Sequence, residues 1–270
     1  MFIIRYGFCS RPDFMKGDEN SRKIFDAIAQ AGFDYLETQL SLIAALDKSD
    51  YERFKKELAA AGLPVRAGLL LFANELALVT DDMDINAITA HADRVLGIAN
   101  DLGAELVVFG SGGTRKVKDG MDRGAVYKRM QQIIESCDPI AGKHGVKIAL
   151  EPLCFKETNM INSVGEAADL INSVKTSNTG AVCDWYHVRM NNMSLKDVLA
   201  YRDMVVHLHI AYPDGRKMPT SADDLSEYAD FVKVVKEIGY NDKISVEGNA
   251  GEVAVERFRD SLATLKKLFD

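Results

Sequence analysis

The sequence predicts an α/β chain folded as a (β/α)₈ TIM barrel. Three observations predict it. Apolar β-type runs and helical runs alternate eight times in 270 residues, a normal length for such a barrel. The β-type runs are apolar throughout instead of alternating, as expected when both faces of a parallel sheet are covered. Glycine recurs just after a helical run and just before a strand, in "AGF", "AGLP", "LGAE", "HGVK" and "IGYND", where a left-handed C-cap costs little. A doubly wound open sheet is the alternative arrangement. No linker or low-complexity segment interrupts the pattern, so residues 1–270 are expected to form a single barrel domain.

The elements follow in order. "FIIRYGF" is the first strand candidate, followed by a helix over Ser21–Ala31. "FDYLET" and Tyr51–Ala61, "VRAGLLLF" and Asn86–Leu102, then "ELVVFG" and Ala125–His144 repeat the unit. "VKIALE" precedes Val164–Ser173, with Ser163 suited to accept an orphan helix N–H. "GAVCD" precedes Leu195–Ala200, with Ser194 in the same role. "VVHLHI" precedes Leu225–Ile238, and "KISVEG" precedes Val253–Phe269.

Composition narrows the function classes. A net charge of -7 argues against nucleic acid or an anionic membrane as partner, since both need a basic face. The apolar start of "MFIIRYGFCSRPDF" is too short for a signal peptide and is broken by Arg5. Cys9, Cys137, Cys154 and Cys183 contain no CxxC pair and are expected to be reduced thiols in a cytoplasmic protein.

A barrel carries its chemistry where strands end, at the C-terminal rim. Strand five ends at Glu151 in "KIALEPL", strand six at Asp184 in "AVCDWYH", and strand eight at Glu247 in "KISVEGN"; strand seven carries His209 in "VVHLHI". Three carboxylates in one partly dry mouth repel, so either some are protonated or a cation sits among them. Three carboxylates and one imidazole suit one divalent ion, Mn²⁺ first, with Mg²⁺, Co²⁺ or Zn²⁺ as alternatives. His207 is expected one layer deeper than His209, as a hydrogen-bonded supporting group. Around the mouth, Glu157, His187 and Arg216 are candidate substrate-binding groups for hydroxyls or a carboxylate. Glu37 is expected at the rim, with a barrel-bottleneck ion pair as the alternative, and Tyr6, Phe8, Trp185 and Tyr186 are candidate pocket walls, with the core as the alternative for each. The loop "FGSGGTRKVKDG", with Arg115 and Lys116, reads as flexible, with an anion cradle as the alternative.

The order of "LEPL…E", "CDWYH", "HLH…R" and "VE" resembles the xylose isomerase-like TIM barrels, and within them the ketose 3-epimerases of the tagatose/psicose type. The resemblance covers the whole chain in fold, and its specific motifs begin at Glu151. It implies Glu151, Asp184, His209 and Glu247 as metal ligands, and Glu151 and Glu247 as the catalytic acid/base pair. It implies Glu157, His187 and Arg216 as the substrate grip, although "HIAYPDGR" is one residue longer than in those epimerases. The expected activity is epimerisation or aldose–ketose isomerisation of a small sugar, by proton transfer through a cis-enediolate. Hydroxypyruvate isomerase-like chemistry and dehydration of an inositol-type ring are alternatives on the same scaffold. A non-catalytic metal- or sugar-binding barrel is the alternative of another class. A trizinc DNA-repair endonuclease of the same superfamily is disfavoured by the five histidines and the acidic charge. Relatives imply a homo-dimer or homo-tetramer.

Overall fold

The computed structural model describes residues 4–10, 19–73 and 76–270. Eight parallel strands close a barrel in sequence order. They are β1 (Arg5–Ser10), β2 (Tyr35–Gln39), β3 (Val65–Leu69), β4 (Leu106–Phe109), β5 (Lys147–Leu150), β6 (Thr179–Asp184), β7 (Val205–Ile210) and β8 (Lys243–Val246). Each apolar run named above supplies one strand. Residues 2 and 3 of the first run lie outside the described residues.

The connecting helices are α1 (Glu19–Ala31), α2 (Leu40–Ile43), α3 (Lys48–Ala61), α4 (Ile85–Leu102) and α5 (Arg123–His144). After them come α6 (Val164–Asn172), α7 (Trp185–Met190), α8 (Lys196–Ala200), α9 (Ala229–Glu237) and α10 (Val255–Phe269). Caps set the boundaries. Ser163 accepts from Glu166 N at the start of α6, and Gly103 and Gly145 end α4 and α5 at φ 83° and 65°.

Three departures from the expected elements have physical reasons. The run "VRAGLLLF" leaves the sheet after Leu69 because Leu70 is left-handed (φ 56°), and Leu71 and Phe72 go on into the core beneath the loop. The helix expected over Leu225–Ile238 opens as a 3₁₀ turn, Leu225–Tyr228, before α9. Helices α2 and α7 were not expected, being too short to show periodicity. Among the described residues no helix is long and apolar enough to cross a membrane.

The end of the barrel away from the mouth is closed by charge. Arg5 meets Glu105 at 2.9 Å and Asp242 at 2.5 Å, and the buried Lys243 ammonium meets Glu105 at 2.7 Å. Nearby on the outside, the buried Asp138 carboxylate accepts from Ser177 N, Asn178 N and the Thr179 hydroxyl, which anchors the entry to β6. Both devices satisfy buried polar atoms and leave the other rim free for chemistry.

Candidate active site at the strand ends

Ladder register brings the rim residues together. Asp184 pairs with His209 across β6 and β7. Glu151 N donates to Phe109 O and Glu247 N to Ile210 O, so each ladder extends one residue beyond its strand. Glu151, Asp184, His209 and Glu247 each offer a ligand atom, and these atoms all lie within 4.8 Å of one another. Donors on opposite sides of an ion at about 2.1–2.3 Å lie about 4.2–4.6 Å apart, so the set has the dimensions and chemistry of a divalent-ion site. Glu247 Oε2 is 2.9 Å from both His209 Nδ1 and Arg216 Nη2, yet it is buried and makes no hydrogen bond of good geometry. An anionic oxygen so placed fits a cation better than a hydrogen-bond donor.

His209 is held from both ends. Its Nδ1 lies 2.9 Å from Glu151 Oε1 and its Nε2 lies 3.1 Å from Glu37 Oε1. Burial opposes charge on this ring, but Glu37 and then Glu247 outweigh it and hold the imidazole well above its ordinary pKa. Glu37 is not at the rim, where the sequence pattern had put it. It is fully buried one layer deeper, with its other oxygen 2.8 Å from His207 Nε2. Burial would raise its carboxyl, but His207 and His209 keep it well below the usual range. Burial also pushes the His207 imidazole down. Its Nε2 is the nitrogen paired with Glu37, and Nδ1 has no partner among the described residues. His207 thus takes the supporting place expected of it.

Asp184 closes β6 and caps α7. One oxygen accepts from Tyr186 N at 2.7 Å, and the other faces His187 Nε2 at 3.5 Å. The short helix turns His187 back over the mouth. There Cys154 N donates to His187 Nδ1 at 3.0 Å, which leaves the ring proton on Nε2, directed at the site. Arg216 reaches the same place from the loop after β7. Its guanidinium lies 2.9 Å from Glu247, 3.3 Å from Asp184 and 3.4 Å from Glu157, and stacks over Tyr186 at 4.6 Å. Its backbone is left-handed (φ 47°), a strained geometry held by Asn249 N donating to its carbonyl.

The two glutamates are pushed apart. Burial, and then the neighbouring Glu247 charge, raise the Glu151 carboxyl. Burial would raise Glu247 as well, but Arg216 and His209 hold it down at about 2. Two carboxyls with opposed shifts suit an acid and a base.

Glu151, Glu157, His187, Arg216 and Glu247 form one wall of a cavity of about 660 Å³ whose other lining includes Gln39, Ser41, Leu42, Leu70 and Ser111. A second cavity of about 430 Å³ shares Leu69, Arg216 and Glu247 with it. Tyr6 and Trp185 do not line either. The Tyr6 hydroxyl donates to Asp270 on the outside of the barrel, and Trp185 stacks on Phe231 at 5.3 Å in the core. Phe8 borders the smaller cavity, but its ring packs against Phe33 and Phe258. The glycine-rich loop is not an anion cradle built on Arg115. That side chain is fully buried and donates to the carbonyls of Phe109 and Glu151, tying the loop to the site. Sequence patterns missed Gln39 and Ser41, whose signal was only a polar pair after an apolar strand.

Gly110 makes room for the Glu151 carboxylate. A Cβ there would lie 2.1 Å from Glu151 Oε2. Gly110→Ala is expected to displace that carboxylate and lower turnover by about 10²-fold while leaving the melting temperature nearly unchanged. Steady-state kinetics beside thermal unfolding checks this; full activity in the variant would show that the Glu151 position is uncritical.

A family model for the xylose isomerase-like TIM barrel matches residues 25–268. The L-ribulose 3-epimerase of Methylomonas sp. (strain DH-1) is 28% identical over 92% of this chain and 85% of its own length. The 3-dehydro-D-guloside 4-epimerase of Escherichia coli (strain K12) is 24% identical over 92% and 95%. Among solved structures, D-psicose 3-epimerase from Clostridium cellulolyticum H10 superposes with a TM-score of 0.81 at 17% identity, covering 99% of this chain and 100% of that one, a likeness of fold. With the family model spanning nearly all of the barrel, the chain belongs to the xylose isomerase-like TIM barrel family.

Proposed function

We propose that the protein is a divalent-metal-dependent epimerase or isomerase of a small keto-sugar. The observation that carries this is the convergence of Glu151, Asp184, His209 and Glu247 at one mouth, with the two glutamates driven to opposite acidities. The relatives support it, since L-ribulose and a 3-dehydro-guloside both carry a carbonyl. A bound ion would polarise that carbonyl and so acidify the neighbouring C–H. Glu151, Asp184, His209 through Nδ1, and Glu247 would hold the ion, with Mn²⁺ the first choice and Mg²⁺, Co²⁺ and Zn²⁺ next.

The chain's own groups then move the proton. Glu247, kept ionised by Arg216 and His209, takes it from the carbon beside the carbonyl. The enediolate left behind is met by the His187 Nε2–H and the Arg216 guanidinium. Glu151, whose carboxyl is raised, returns a proton to the other face, giving the epimer; return to the adjacent carbon gives the aldose–ketose isomer. Glu157 anchors Arg216 and is placed to accept from a substrate hydroxyl.

Metal content measured on wild type and on Asp184→Ala tests this. About one divalent ion per wild-type chain, lost in the variant, is expected. A wild type that takes up no ion when supplied with Mn²⁺, Co²⁺ or Mg²⁺ would overturn the assignment.

A further inference from the structure

Helix α2 continues directly from β2, and the end of β2 and α2 together bring Gln39, Ser41 and Leu42 to the cavity wall. In the closed strand order β2 lies across the barrel from β6, which carries Asp184. Gln39 precedes α2 as its N-cap residue, but its side chain does not cap the helix. The residue is 8% exposed, and among the described residues its amide makes no hydrogen bond to protein. Ser41 is 4% exposed, and its hydroxyl also lacks a partner. Around them the wall is apolar: Leu42, Leu69, Leu70 and Val108. The Ser41 hydroxyl is buried without a partner, which is costly, and the Gln39 amide lines the open cavity beside it, so a ligand that pairs with both is favoured.

The chemistry of that ligand follows from the groups. An amide offers a donor pair and an acceptor on one planar head, which matches two neighbouring hydroxyls, each able to donate and accept. A phosphate asks for cations or several N–H donors. Among the described lining residues Arg216 is the only arginine or lysine, and it is engaged by Glu247, Asp184 and Glu157. We propose that Gln39, assisted by Ser41, is the specificity-determining residue for the unphosphorylated polyol end of the substrate, the end away from the reacting carbon. This rests on the keto-sugar reading above and adds to it the substrate's far end.

The test uses solvent-deuterium exchange into the carbon beside the carbonyl. Exchange is measured for the ketose that the wild type handles fastest, for its analogues each lacking one distal hydroxyl, and for its terminal phosphate ester. The wild type is expected to favour the parent ketose over at least one deoxy analogue by about 10–100-fold in kcat/KM. In Gln39→Met that ratio is expected to fall below about 3-fold, with exchange into the deoxy analogue retained. Ser41→Ala should move the ratio the same way by a smaller factor. Because Gln39 has no protein partner, the methionine variant leaves nothing unpaired, and circular dichroism checks its fold. A wild-type ratio kept in Gln39→Met, or a wild-type preference for the phosphate ester, would overturn the proposal while leaving the epimerase reading standing. No exchange by the wild type on any ketose would instead remove the keto-sugar reading, and this proposal with it.

Discussion

Glu247→Gln is expected to lower the rate of C–H exchange and of sugar turnover by about 10³–10⁴-fold, the scale of losing a positioned general base. The amide keeps an oxygen of nearly the same shape at the mouth, so metal content should fall far less than activity. It also removes one of the charges that Arg216 and His209 face. The counterpart, Glu151→Gln, should be about as slow. Pairing the two variants separates the roles: with a substrate and its epimer assayed in both directions, each variant is expected to exchange one face at most. Proton NMR in deuterated buffer reads this directly. A Glu247→Gln enzyme exchanging at near wild-type rate would remove Glu247 from proton transfer.

The second large effect is expected away from the rim. Glu37 lines neither of the two cavities described; it acts through His209, whose Nε2 it holds at 3.1 Å. With Nε2 committed there, Nδ1 is the atom turned to Glu151 and Glu247. Glu37→Gln turns a strong acceptor into a group whose amide can donate in either of two orientations. The ring is then free to turn or to change tautomer. Groups that orient a metal-binding histidine in this way typically matter by 10–100-fold, and a Mn²⁺ affinity weaker by about that factor is expected from isothermal titration. The cost to folding should be visible as well, since His207 and His209 both lose an ionised partner in a fully buried site. Wild-type Mn²⁺ affinity in a folded Glu37→Gln protein would show that His209 needs no such support.

Depth and parity explain what could be seen in the bare sequence. Glu151, Asp184 and Glu247 stand out because each ends an apolar run, and a charged residue there needs a reason. Glu37 ends its run in the same way, and nothing local separates it from them. Only closure of the barrel, which sets β2 against the side chains of β7, buries it beneath His209. Tyr6 fails as a wall for a reason that period two could have revealed. Cys9 shares with Glu37 and His209 a cluster of inward-facing groups, so its neighbours of opposite parity, Phe8 and Tyr6, face the helices. Trp185 lies on α7, and α7 and α2 are single turns below the reach of any periodicity. Arg115 looked like a mobile loop charge because composition reports Gly-rich character and not the two carbonyls that the side chain finds on folding.

The mouth is divided between two halves of the chain. The residues proposed to move the proton and hold the ion come from β5 to β8, while the wall carrying Gln39, Ser41, Leu42, Leu69 and Leu70 comes from β2, α2 and β3. Glu37, from β2, props His209 of the other half. Such a division makes the barrel a chassis with an exchangeable front. Grafting the segment after Glu37, from Thr38 to Leu42, between members of the family should carry sugar preference with it while leaving the acid, the base and their strut in place. Drift within that short stretch offers a route by which one chemistry spreads over many sugars.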